Sequence, residues 1–316
     1  MKLTLKQIQD VTFGATKIFE ENGSFFFRRF TDYQLDAWQK HGYQKGITAT
    51  TGVKLDFTSN TKSFAFKTNV EVGKFEVLID NKTVYLERHN LELNIAKIEL
   101  DGKEHQITFV LPSHSEGILD YVEIDDDASL IPHKHDIKFM FFGDSLTQGW
   151  RSENDSLSFA YIVSRHFNAD SRIFGLGSGR FIADVIDENY PFDPNVVFVA
   201  LGTNDWGEYR SAEIFCEHVR TFAQKIRKVY PDKKIIGITP TWRKDSFTKI
   251  KSGMMFREMS KLITSIYNVN GITAIDGLTL LPQDPQFLTD SVHPNNAGFI
   301  HYANNLIPHV EELLKQ

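Results

Sequence analysis

The alternation of apolar and polar positions changes character near residue 135. Before that point apolar residues recur at every second place in short runs: "GVKLDFTSN", "SFAFKTNVEV", "KFEVLIDNKTVYLE", "LNIAKIELDG", "HQITFVLP" and "ILDYVEID". Gly, Asn, Asp and Pro separate the runs at close spacing, as at Asp80-Asn81-Lys82 and Asp101-Gly102. A period of two turns one face of each strand toward a core, and tight turns pair neighbouring strands antiparallel. This half therefore predicts an all-β sandwich of jelly-roll type. The polar, proline-bearing stretch "DDDASLIPHKHD" reads as a linker, which sets domains at 1–135 and 136–316.

Beyond the linker the rhythm is strand, loop, longer helix. The strands read as "IKFMFF", "SRIFGL", "NVVFVAL", "KKIIGIT" and "GITAID", with helices near 157–167, 211–229, 251–267 and 295–314. Near-continuous apolar strands alternating with helices predict a parallel sheet covered on both faces, an α/β architecture. Such sheets bind ligands beyond the carboxyl ends of their strands.

Four of those ends carry unusual residues. Gly143-Asp144-Ser145 follows the first strand and "GLGSGRF", residues 175–181, the second. Gly202-Thr203-Asn204-Asp205 follows the third, and "TDSVHPNNAGF" follows the last, with Asp290 and His293 three apart. A Ser, a His and an Asp at separate strand ends meet only in the folded chain, where base can lie beside hydroxyl and carboxylate behind base. Gly and Asn at the other ends can supply N–H groups to an oxyanion. Each piece has a plainer explanation by itself. Gly-Asp-Ser also suits a turn into a helix cap, and Gly-Thr-Asn-Asp an Asx-turn. "GLGSGRF" fails as a dinucleotide loop because Arg180 stands where the third glycine belongs. Ser178 fails as a nucleophile elbow, being flanked two residues away by Leu176 and Arg180.

Composition narrows the function classes. The 316 residues are 41% hydrophobic and include 26 Phe, enough for two cores. A net charge of −6 without a dense Lys/Arg run argues against nucleic acid as a partner. One cysteine, Cys216, excludes an intrachain disulfide and a zinc-thiolate cluster, and its helical surroundings suggest packing. No run has membrane-spanning length, and the first residues carry no signal-type apolar core, so the expectation is a cytoplasmic protein without a membrane partner.

In combination the strand-end blocks make residues 137–316 resemble the SGNH, or GDSL, hydrolase superfamily. "GDSLTQG", "GTND" and "DSVHP" match its first, third and fifth blocks. The resemblance implies a flavodoxin-like fold and an acyl hydrolase without metal or other cofactor. It implies Ser145 as nucleophile, with Asp290 and His293 its partners. The oxyanion donors would be the Ser145 N–H, the Gly179 N–H and the Asn204 amide. One position departs from the pattern: Phe174 stands where the family's second block has asparagine. A jelly-roll-like domain ahead of such a hydrolase is similar to carbohydrate esterase family 2, which removes acetyl groups from sugars. The expected substrate is then a small-molecule or oligosaccharide ester. The alternatives are a lipase-like or thioesterase acyl hydrolase, and a non-catalytic glycan-binding protein with a vestigial site.

Three tryptophans adjoin the blocks, Trp150, Trp206 and Trp242, and suit sugar faces; Arg180 and Arg243 suit their polar edges. The alternative for at least one tryptophan is the core. His133-Lys134-His135 imitates a metal-binding pair, but no further ligand is visible at the later strand ends, so no metal is expected.

Overall fold

The structure is a computed structural model and describes residues 1–70, 73–87, 95–208, 211–247 and 253–316. The ends of two expected strands, at 71–72 and 93–94, and the start of the helix expected from 251 lie outside the described residues. The chain forms two compact units. The first comprises Met1–Thr31, Gln44–His135 and Asn154–Ser156; the second comprises Asp32–Tyr43, Asp136–Glu153 and Leu157–Gln316.

The first unit holds two antiparallel sheets. One runs in the order Thr12–Phe13, Lys54–Ser59, His105–Val110, Phe75–Ile79, Lys82–Glu87, with Ile131–Pro132 added to Lys54–Ser59. The other runs Lys17–Glu21, Ser24–Arg28, Leu119–Ile124, Ser63–Thr68, Ile95–Glu99. Phe64 and Phe66 of the second sheet meet Phe57, Phe75 and Phe109 of the first, all buried, with Phe66 and Phe109 centroids 4.3 Å apart. Seven phenylalanines are buried in this core. The expected linker is partly sheet: Ile131 and Pro132 pair with Thr58 and Phe57, a position at a sheet edge where proline is tolerated. Buried Glu76 accepts from Thr83, Asn154 and Ser156, and Asp155 accepts the Ser113 N–H, which ties the short 154–156 excursion into this unit.

The second unit is built on a five-stranded, all-parallel sheet. Its order is Ala169–Gly175, Ile137–Gly143, Val196–Ala200, Lys234–Ile238, Thr273–Ile275. Numbered from residue 137, this is the flavodoxin-type order 2-1-3-4-5. Successive side chains of Ile137–Gly143 serve opposite faces. Phe139 and Phe141 pack with Phe198 on one, where Phe159 and Tyr302 stack at 4.0 Å; Phe142 packs with Phe174 and Phe222 on the other. The covering helices are Phe159–His166, Ala212–Val229, Phe256–Val269 and Asn296–Lys315. Among the described residues no helix is long and apolar enough to cross a membrane.

Candidate active site

The sheet order reverses between Ile137–Gly143 and Val196–Ala200, and the carboxyl ends of these two strands form the crevice where such folds bind ligands. Ser145 opens a single helical turn, Ser145–Gln148, directly after the first of them. Asp144 caps the turn: its carboxylate accepts the Leu146 N–H at 2.9 Å. Gly149 closes it at φ 83°. Gly143 admits no side chain, since a Cβ there would lie 1.9 Å from Thr147 Oγ1. The Ser145 N–H occupies the first helical position, where an amide has no intrahelical acceptor.

The loop after the last strand brings the other two candidates to Ser145. His293 Nε2 lies 2.9 Å from Ser145 Oγ, and His293 Nδ1 lies 2.9 Å from Asp290 Oδ2. Asp290 Oδ1 also accepts the backbone N–H groups of Val292 and His293, both at 2.8 Å. The D-x-x-H segment is thus a turn capped by the same carboxylate that orients the imidazole. Burial alone would raise the Asp290 carboxyl, but these N–H donors and the His293 ring outweigh it and hold it at about 2. Arg151 Nε stands 3.6 Å from Asp290 Oδ2. No motif marks Arg151.

The expected oxyanion residues lie at the neighbouring strand ends. Asn204 Nδ2 donates to the Gly179 carbonyl at 3.0 Å. The Gly179 N–H donates to the Leu176 carbonyl at 2.8 Å and closes a turn in which Ser178 takes φ 62°. An acceptor beside Ser145 would therefore share this N–H with Leu176. A Cβ on Gly179 would fall 2.8 Å from Leu176 O and 3.0 Å from Gly143 O, so only glycine lets the two loops approach. Phe174, at the asparagine position, is a core ring against Phe142 and Tyr190. The nucleophile loop is linked to the second strand end by other bonds: Gln148 Oε1 accepts the Gly177 N–H at 2.8 Å, and Gly143 O accepts from Leu176.

Two buried carboxyls brace these loops. Asp144 caps the nucleophile turn, and Asp205 Oδ1 accepts the Phe181 N–H at 3.1 Å, tying the third strand end to the second. Burial raises each to about 7, and the N–H donors offset only part of that shift.

The tryptophans divide. Trp206 is 2% exposed, edge-on to Phe256, with its indole N–H donating to Met254 O. Trp242 is 6% exposed and packs with Leu281 and Leu288. Trp206 is a core ring, which corrects its expected substrate role, whereas Trp242 is largely buried but borders a cavity with Phe256 and Leu278. Trp150 is 38% exposed, with its ring centroid 6.4 Å from that of His293. Arg180 pairs with Glu208 at 2.7 Å and donates to Tyr43 OH, while Arg243 pairs with Asp245 and Thr203 O. Both guanidinium groups thus have internal partners. Tyr43, which no motif signalled, donates to the Ser178 carbonyl at 2.7 Å.

The model of the GDSL-like lipase/acylhydrolase family matches residues 141–299, which contain every strand-end residue described above. The chain belongs to this family, a class of acyl ester hydrolases. A search of curated sequences finds no match. Solved structures share the fold over nearly the whole chain. A salicylyl-acyltransferase from a tetracycline biosynthetic pathway superposes with a TM-score of 0.75 at 15% identity, covering 96% of this chain and 94% of its own. A GDSL-like lipase from Bacteroides ovatus gives 0.74 at 16%, covering 100% and 98%. A family two carbohydrate esterase from Cellvibrio japonicus gives 0.66 at 14%, covering 100% and 98%.

Proposed function

We propose that the protein is a serine esterase that removes O-acetyl groups from carbohydrates, and that Ser145, His293 and Asp290 are its catalytic triad. The observation that carries the reading is the continuous chain Ser145 Oγ–His293 Nε2 and His293 Nδ1–Asp290 Oδ2, with 2.9 Å at each link. His293 takes the Ser145 proton as Oγ attacks the ester carbonyl. Asp290, ionised at any pH well above about 2, fixes the tautomer and stabilises the imidazolium. The Ser145 N–H, the Asn204 amide and a shared Gly179 N–H receive the oxyanion, each donor contributing about 3 kcal/mol to the transition state. As the tetrahedral intermediate collapses, the imidazolium protonates the leaving sugar oxygen to give the free hydroxyl, and water activated by the same imidazole then releases acetate from Ser145.

The substrate half of the proposal draws on three supports. Carbohydrate esterases of family two share the fold, one of them, from Clostridium thermocellum, in complex with cellohexaose. Trp150 offers an exposed aromatic face beside His293, of the kind sugar rings stack on. In the first unit we read the two antiparallel sheets as a jelly-roll-like domain of the sort that precedes such esterases. The test is a chain-length series of p-nitrophenyl esters together with acetylated oligosaccharides. Activity is expected to be highest on acetyl and to fall toward octanoyl, with acetate released from the sugar. A maximum at octanoyl, with no acetate released, would leave an acyl hydrolase of lipase type in its place.

A further inference from the structure

We propose that Asp56, His133 and His135 form a binding site for a divalent transition-metal ion of the zinc type, separate from the ester chemistry. The three residues each offer one donor atom, and these atoms lie within 4.8 Å of one another. Strand pairing creates the convergence. Ile131–Pro132 runs antiparallel to Lys54–Ser59, and the His133 N–H continues the ladder by donating to the Asp56 carbonyl at 3.0 Å. His133 and His135 are two apart on this extended stretch, a spacing that puts both rings on one side. Their centroids are 4.8 Å apart, and His135 Nε2 is 3.7 Å from Asp56 Oδ2. The third donor comes from the earlier strand Lys54–Ser59 rather than from a later strand end.

The donor set decides the class of ion. Two imidazoles and one carboxylate suit Zn, Ni or Cu rather than Ca or Mg, and three protein ligands leave one tetrahedral position for water. Asp56 is already oriented as a ligand. It is 1% exposed, and its Oδ1 accepts from Gln106 Nε2 at 2.9 Å and Thr108 Oγ1 at 3.2 Å, the outer bonds that aim the other oxygen. That other oxygen, Oδ2, pairs with Lys54 Nζ at 2.7 Å. Bonds of about 2.0–2.2 Å to an ion require the three donors to draw together by roughly an ångström. They also require the Lys54 ammonium to yield its place to the dication. Ion and ammonium therefore compete for one carboxylate oxygen.

This competition separates a built site from adventitious binding to surface histidines. The test titrates the full-length protein with Zn(II) against a chromophoric chelator, and with Co(II) followed by visible absorption. The wild type is expected to bind one ion, show a Co(II) ligand-field band and gain thermal stability as zinc is added. His133→Ala combined with His135→Ala is expected to weaken zinc binding by roughly 100-fold and abolish the band and the stability gain, because only one ligand remains. Lys54→Met, checked for folding by circular dichroism, is expected to tighten binding by about tenfold or more, as the competitor is gone. Lys54→Gln is the second variant and should move the same way. Equal zinc affinity in the wild type and the double histidine variant would overturn the site. Unchanged or weaker affinity in both folded Lys54 variants would overturn it as well.

Discussion

Ser145 and His293 are single residues whose effects should not be separable. A hydroxyl at a strand end adds little to the core, so Ser145→Ala is expected to fold normally and to lower kcat on p-nitrophenyl acetate by about 10⁴-fold or more. His293→Ala should be nearly as damaging, and the double variant hardly worse than either, because the proposed mechanism works the pair as one unit. Losses that multiply in the double variant would show two independent roles. Asp144 and Asp205 give a prediction of a different kind. Their folded-state carboxyls are raised to about 7 by burial, whereas an exposed aspartate titrates near 3.9. Between these values the folded chain keeps protons the unfolded chain has lost, so stability falls as pH rises from about 4 to about 7 and levels off above. Each such proton contributes a slope of about 1.4 kcal/mol per pH unit, and the two neighbouring groups titrate together. Asp144→Asn keeps an acceptor for the Leu146 N–H and should flatten part of that slope in denaturant melts taken across this range. An unchanged slope would show that Asp144 is ionised in the folded state. At this scale the sequence was most informative where chemistry needs a residue type at a strand end, as with Ser145, Asn204, Asp290 and His293. It was silent on Arg151, and it misled on Trp206, because the same ring serves a core or a sugar and only burial tells which.

Among the elements, the turn Leu176–Gly179 is held from several sides. Gln148 accepts its Gly177 N–H, Asn204 donates to its Gly179 carbonyl, and Tyr43 donates to its Ser178 carbonyl. Tyr43 follows the helix Asp32–Lys40, whose Gln34 and Trp38 are buried, and Gln34 donates to Val185 O at 3.0 Å. Tyr43 is thus a positioning residue for a turn that carries an oxyanion candidate. Tyr43→Phe removes one hydrogen bond and no volume of consequence. It is expected to lower kcat on p-nitrophenyl acetate roughly tenfold with KM nearly unchanged, since the misplacement is felt only as charge develops. A normal kcat would mean that Gln148 and Asn204 suffice to hold the turn. The strands of the parallel sheet were legible because each is a continuous apolar run, "NVVFVAL" for Val196–Ala200 being typical. The helix Asp32–Lys40 was not: "DYQLDAWQK" has too few apolar residues to mark a helical face, and its buried positions include a glutamine. The strands Lys17–Glu21 and Ser24–Arg28 also escaped, since "KIFEE" and "SFFFR" do not alternate.

For the molecule as a whole, chain order and packing order differ. Asp32–Tyr43 lies between two stretches of the first unit yet packs as part of the second, and Asn154–Ser156 does the reverse. A boundary drawn at one residue near 135 therefore cuts the second unit short of a helix. Within that unit the segment Asp32–Tyr43 is held by several contacts: Trp38 packs edge-on to Tyr43 at 4.8 Å, His41 bonds Asp184 at 2.9 Å, and Tyr43 reaches the Ser178 carbonyl. Trp38→Ala in the full chain empties a buried site and is expected to destabilise this unit by about 3–5 kcal/mol. The readout is the temperature at which esterase activity is lost, because activity reports on the unit that holds Ser145 and His293. It should drop by several degrees while kcat at 25 °C stays within a few-fold of wild type. A chain of residues 136–316, lacking the helix altogether, should lose activity at a lower temperature still or fail to stay in solution. If that shorter chain kept both the inactivation temperature and the kcat/KM of the full protein, the helix would be a passenger on the hydrolase rather than a part of it.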